Sequence, residues 1–315
     1  MSLLDALTQA VLPVLAIATA GYALGRIRDV AVEPLATVTI YVLTPALVFH
    51  SLATTPIGGE TAIRLAIGVT AFTLGMVAIA GLVARAVGHP ADTRGAMVLA
   101  STFPNAGNYG IPMAAFAFGS VGRSTAILYI VFQAVLMYTL GVYLASRGSV
   151  ASPREAAIEV LSLPLVYALA AAWLARALSV VPDADTAAME AIQLTGDAAI
   201  PVMLIMLGIQ LANTTHGAAL RSAVPASALK LFVAPAIALL IAVPLGLPTD
   251  VGRVFVLACA MPAAVTPLML VVEYGTDREG VTAPEFVSTA ILLTTLASTV
   301  TLTVLIALLQ DGVLV

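Results

Sequence analysis

Ten windows of 18 or more predominantly apolar residues divide this 315-residue sequence, at roughly 5 to 25, 33 to 54, 62 to 86, 94 to 119, 123 to 145, 155 to 179, 188 to 212, 222 to 246, 252 to 275 and 283 to 309. A helix needs about 20 such residues to cross the hydrocarbon of a bilayer. Within hydrocarbon every backbone N–H and C=O must find its partner inside the protein. The expected fold is therefore an all-α polytopic membrane protein with ten transmembrane helices in a lipid bilayer. Composition agrees: 61% of residues are hydrophobic and 10% charged, against about half apolar and a quarter charged in soluble domains. Asp5 and the absence of a basic segment before the first window mark it as a retained helix and not a cleaved signal peptide.

The two halves of the chain echo each other. Pro45 in YVLTPALVFHSLATT has a counterpart in Pro201 of DAAIPVMLIMLGIQLANTT, 156 positions on; Pro104 is matched by Pro262, 158 on, and Gly119 by Gly275, 156 on. Three matches at nearly one offset indicate an internal repeat. The polar stretch Ser146 to Glu155 separates residues 1–150 from 151–315, five windows each. Because five is odd, the second copy enters the membrane upside down, which is the inverted-repeat design of many secondary transporters. Eight arginines fall in loops that are cytoplasmic if the N-terminus is outside, and four (Arg64, Arg123, Arg176, Arg253) in the loops opposite. The positive-inside rule then places both termini outside the cytoplasm, in a cell membrane.

Spans four and nine are interrupted near their middles, by FPNAGNYGIP (103–112) and by MPAAVTP (261–267). One such interruption is ordinarily a kink; two at corresponding positions point to a transporter's binding site. Where a helix unwinds and restarts at the midplane, free N–H groups and the positive dipole end face whatever fills the gap. Two such restarts form an anion site that needs no arginine. Pro112 suits the first turn of one restart, and Thr266-Pro267 reads as an N-cap followed by proline at the first helical position of the other. Asn105 and Asn108 add amides able to hold a carboxylate, and Gly107 and Gly110 allow positive φ and close approach. The candidate substrate-binding residues are thus Pro104, Asn105, Gly107, Asn108, Gly110, Pro262, Ala263, Thr266 and Pro267.

Further polar residues in or beside the spans are candidates for coupling. Lys230, the only lysine, lies some eight residues into span eight, where it either serves function or snorkels to the interface. Asp197, at similar depth in span seven, is a candidate counter-ion. His50 at the end of span two could titrate near neutral pH. Glu60 and Arg64 at the mouth of span three form either an interfacial i, i+4 pair or an auxiliary site. Glu273 marks a helix end. The lone Cys259 excludes an internal disulfide, and no Cys/His spacing suits a metal, so no metal or cofactor is expected. Intramembrane hydrolysis needs a nucleophile with its base or a carboxylate dyad; there is no HExxH or GxSxG, so an enzyme is not expected. The net charge of −4, spread without blocks, makes nucleic acid no partner.

PNAGNYGIP, YVLTPALVFHSL and MPAAVTPLMLVVEYG together resemble the auxin efflux carrier family, which includes plant PIN-type carriers and prokaryotic malate and malonate permeases; the resemblance covers essentially the whole chain. It implies a scaffold domain of helices 1, 2, 6 and 7, through which members form homodimers, and a transport domain of helices 3–5 and 8–10 that moves elevator-fashion. It implies an organic anion bound where helices 4 and 9 cross, with Asn105 on the carboxylate. Plant members carry an Asn-Pro pairing in the second crossover; Met261-Pro262-Ala263-Ala264 departs from it, so a smaller carboxylate is as compatible as an auxin-like one. Related bile-acid-type carriers hold sodium with acidic and amide side chains around the crossover, and Met261 to Pro267 has none. Proton- or potential-driven movement or uniport is favoured, with a sodium-coupled carrier or a receptor or channel of the same fold as alternatives.

Overall fold

The computed structural model describes residues 3–312 apart from 56, 90, 147–157, 159–160, 214–218 and 275–280. The described residues are helical, without a strand. Seven helices are long and apolar enough to cross a membrane: α1 (Leu3–Ile27), α2 (Val32–Thr54), α3 (Gly59–Ala86), α5 (Ala106–Ala145), α7 (Ala187–Ala212), α8 (Leu220–Leu245) and α11 (Ala283–Gln310). Shorter helices complete the chain: α4 (Ala91–Thr102), α6 (Pro164–Ala177), α9 (Thr249–Cys259) and α10 (Thr266–Tyr274). The window at 94–119 falls on α4 and the start of α5, and the one at 252–275 on α9 and α10. Gly275 and the side chain of Glu273 lie outside the described residues.

Proline shapes these helices in a repeated way. Widened π-turns occupy Leu7–Val11, Thr39–Leu43, Ala106–Gly110, Met137–Gly141 and Leu229–Val233, and all of these except Met137–Gly141 end two residues before a proline: Pro13, Pro45, Pro112 and Pro235. A proline in a helix offers no N–H and its ring crowds the carbonyl four residues back. Opening the preceding turn to i→i+5 bonding relieves that crowding without breaking the rod. Polar residues ride on these bulges, among them Thr39, Asn108 and Lys230. Elsewhere the ends follow ordinary capping: the hydroxyls of Thr186 and Thr282 accept from the backbone N–H of Met189 (3.4 Å) and Glu285 (3.3 Å), and Gly246 closes α8 in the left-handed region.

At 40 residues α5 is about twice the length one crossing needs, and it bends at Gly119, whose φ of 61° and ψ of −143° interrupt the helix. That conformation is open essentially to glycine alone. Space is not the constraint, since nothing lies within 4 Å of a Cβ built there. Gly119→Ala should therefore cost about 1–3 kcal/mol from backbone strain, read as a lowered thermal midpoint. Gly81→Ala, in a helix interior and equally uncrowded, should leave the midpoint unchanged or raise it.

Two sets of helices pack most closely, with α5 and α11 also touching the first set. α1 lies along α7, and α2 against α6 and the first part of α7; α3 packs on α4, α5 and α8, while α9 packs on α5 and α8, and α11 on α4, α8 and α10. Phe72, Met97, Phe103, Tyr109, Tyr129, Phe255 and Phe286 are fully buried in the core. Leu82, Phe232, Leu240 and Val300 are each more than 60% exposed, as an outward apolar surface facing lipid requires.

Candidate functional site

The two interruptions cross. Between α4 and α5, and between α9 and α10, the chain is extended, and the segments meet in one antiparallel bridge between Pro104 and Ala263. Asn105 N–H donates to the Pro262 carbonyl at 2.7 Å, and Ala264 N–H to the Phe103 carbonyl at 2.9 Å. Backbone groups that unwinding sets free are thus paired with each other in the protein interior, where hydrocarbon could not satisfy them. Two side chains complete the pairing. Gln133 of α5 donates through Nε2 to the Pro104 carbonyl at 3.1 Å. Thr294 of α11 accepts from Ala263 N–H at 3.0 Å while donating to the Ala290 carbonyl at 2.6 Å.

Beside the crossing lies a cavity of about 260 Å³, somewhat below the range usual for drug-sized ligands. Pro104, Asn105, Gly107, Asn108 and Thr266 line it on the crossover side, Gln133 and Tyr138 from α5, Thr39 and Thr44 from α2, and Gln210 from α7; Met137, Met203, Met206 and Met269 supply an adaptable apolar wall. None of its described lining residues carries a charge. Asn105 is 5% exposed, and its Nδ2 has no protein partner. A buried amide hydrogen left this way costs about 1–3 kcal/mol unless something else accepts it. Asn105 also lines the cavity, which makes this amide a candidate donor to a ligand.

Five of the nine substrate-binding candidates therefore face one cavity. Pro262 and Ala263 hold the crossing through their backbones, while Gly110 and Pro267 sit behind it. Two local expectations are corrected. α10 begins at Thr266, which puts Thr266 inside the first turn and Pro267 second, instead of Thr266 as the cap. Gly107 and Gly110 do not take positive φ; they belong to the π-turn that Pro112 imposes, and Gly110 serves close packing, a Cβ there lying 3.2 Å from Met261 Cγ.

The coupling candidates lie outside the cavity. Lys230 does not pair with Asp197 and does not snorkel: it is fully buried, its Nζ donates to the Cys259 carbonyl at 3.1 Å and stands 5.5 Å from the Phe72 ring centroid. That carbonyl ends α9, so the Lys230 amine donates to a helix C-terminus whose last carbonyls lack intrahelical partners. Asp197 instead accepts from Arg123 Nη1 at 2.7 Å. Glu60 and Arg64 form the i, i+4 pair at 2.5 Å, and Arg64 also donates to the Gly246 carbonyl at 2.7 Å, capping α8. His50 is buried near the end of α2.

Gln133, Thr294 and Arg123 are not among the site residues that the sequence alone points to. A lone amide in the middle of an apolar window was the available signal for Gln133.

With this geometry in place, comparison with known proteins decides the class. The profile of a family described as membrane transport protein matches residues 6–306. The chain belongs to that family. Among its relatives is an uncharacterized transporter of Methanothermobacter thermautotrophicus, 29% identical over 296 residues, covering 92% of this chain and 96% of the relative. The resemblance to auxin efflux carriers thus holds for a membrane transport protein matched nearly end to end, and the crossed helices lie well inside the matched region.

Proposed function

We propose that this membrane transport protein is a secondary carrier of small organic anions, carboxylates of the auxin-like or malate- and malonate-like classes, and that the carboxylate sits where spans four and nine cross. The observation that carries this reading is the union, in one uncharged cavity, of the crossover backbone, Asn105 and Asn108, and the starts of α5 and α10. Amide donors and helix N-termini attract an anion without the desolvation cost of a buried arginine. Charge-assisted hydrogen bonds from Asn105 and Asn108 contribute about 1.5–3 kcal/mol each and each of the two helix termini about 0.3–1, so dissociation constants from about micromolar to millimolar are expected.

In this reading the chain crosses a cell membrane ten times as two inverted five-helix repeats, residues 1–150 and 151–315, with both termini outside the cytoplasm. Spans 1, 2, 6 and 7 form a scaffold that pairs with a second copy, and the remainder moves as an elevator. The close packing of α1 on α7 and of α2 on α6 and α7 is in keeping with that division, and the Gly119 bend divides α5 into the end of span four and span five. Purified protein should be stabilised by a carboxylate in a saturable way, because a ligand that binds only the folded state raises the melting temperature with its concentration. A thermal-shift series over mono- and dicarboxylates and indole acids measures this; the uncharged amide of the best ligand should shift the midpoint far less. Equal shifts from acid and amide would refute anion recognition at the crossing.

A further inference from the structure

The residues that line the cavity run from one end of the helices that hold it toward the other. Among its lining residues, Ala36 lies in the first turns of α2, Gln210 in the last turn of α7, and Leu163 is the residue that caps α6. The cavity thus runs toward the face on which α2 and α6 begin and α7 ends. Toward the opposite face it stops at Val48 of α2 and Ile127 of α5.

One turn beyond Ile127 stands a set of polar contacts, two of which join α5 to α2 and α7. Arg123 Nη1 meets Asp197 Oδ1 at 2.7 Å, with the two side chains 19% and 45% exposed. Next to it the Ser124 hydroxyl donates to the Ser51 carbonyl at 3.1 Å. His50, one residue before Ser51, is within electrostatic reach of both Arg123 and Asp197. Arg176 of α6 donates to the Leu52 carbonyl at 3.4 Å, tying the end of α2 to its own neighbour. α5 therefore meets α2 and α7 here through polar groups that can separate and be rehydrated, where an apolar seam would hold fast.

We propose that Arg123 and Asp197 form a latch that holds this face shut while the cavity is open to the other, and that the pair separates when the cavity opens to the Arg123 face. The inference rests on the alternating-access reading above. A half-exposed ion pair suits such a latch, because its loss shifts a two-state balance by about two- to fivefold, enough to bias the carrier without trapping it.

The test uses Ile127→Cys as a reporter, since Ile127 is 1% exposed and lies just inside the latch; the native Cys259 is fully buried and serves as background. In proteoliposomes of known orientation, the rate of labelling by a membrane-impermeant maleimide added at the Arg123 face should rise about two- to fivefold in Asp197→Asn and in Arg123→Gln. The exchange Arg123→Asp with Asp197→Arg should return it toward the parent rate. Unchanged labelling in both single variants overturns the latch, as does a rate that stays raised in the exchange variant, because the two groups would then not act as a pair. The readout needs no substrate: labelling that shifts as described while no carboxylate stabilises the protein would leave the latch standing and remove the anion-carrier reading.

Discussion

Enlarging Gly208 to leucine should leave almost no folded protein. α1 and α7 cross with their backbones in contact, and a Cβ on Gly208 would run into the Ala18 carbonyl oxygen and come within 2.5 Å of the Tyr22 nitrogen. From the other side a Cβ on Gly21 would strike the Ile205 carbonyl. Neither obstacle is a side chain that can swing away; both are backbone of an adjoining helix. In a membrane the hydrophobic effect does not drive helices together, so close packing through small residues carries much of their association. Forcing the rods apart removes contact along their whole length, and a loss above about 4 kcal/mol is expected, the range reserved for such disruption. The yield of monodisperse protein by size-exclusion chromatography reads this directly. Gly75→Ala, whose added carbon would meet nothing nearer than Ile237 Cγ2 at 4.0 Å, should elute as the parent does.

The second large effect concerns function and leaves the fold intact. Asn105→Asp places a carboxylate beside the proposed position of the substrate's own. Two like charges about 4 Å apart at an effective dielectric of about 20 repel by roughly 4 kcal/mol, so carboxylate affinity should fall by about 10²- to 10³-fold. Asn105→Ala removes only the donor and should cost about 10- to 100-fold. Its effect on stability runs the other way: Nδ2 has no protein partner, and the bond to Pro262 comes from the Asn105 backbone, which alanine keeps. The melting temperature of ligand-free Asn105→Ala should hold or rise, the pattern expected where a residue is kept for binding at the expense of stability. Isothermal titration with the best carboxylate, beside a thermal melt, separates the two.

Much of this architecture is legible in the sequence because a membrane makes its demands visible. Unwinding an apolar helix at mid-depth is costly, so the proline, glycine and asparagine cluster at 103–112 stands out, and its partner at 261–267 follows from one repeat distance. The crossing of Pro104 and Ala263, with Asn105 and Asn108 beside a cavity, is what that spacing anticipates. Direction around a helix axis is less legible. Lys230 and Asp197 sit at similar depths, which makes them natural partners, yet the π-turn before Pro235 carries Lys230 to the Cys259 carbonyl, while Asp197 meets Arg123 from a helix 74 positions away. Thr294 has no signal of its own, since most hydroxyls in these helices bond to carbonyls of the preceding turn, as Thr70 and Thr73 do. Only tertiary contact shows that it also holds Ala263 N–H. Gly119 is readable as a repeat marker, but its backbone strain is not, because the amino-acid type gives the freedom to take positive φ and not the use of it.

The measurement that tests the central claim most directly is counterflow in proteoliposomes: vesicles preloaded with unlabelled carboxylate, the labelled acid added outside, with the parent protein and Asn105→Ala side by side. Carriage at the crossing predicts saturable uptake accelerated by the internal acid for the parent, and, at concentrations below the parent's half-saturation, a rate about 10- to 100-fold lower for the variant. Flux in Asn105→Ala equal to that of the parent would contradict carriage of the anion at the helix crossing.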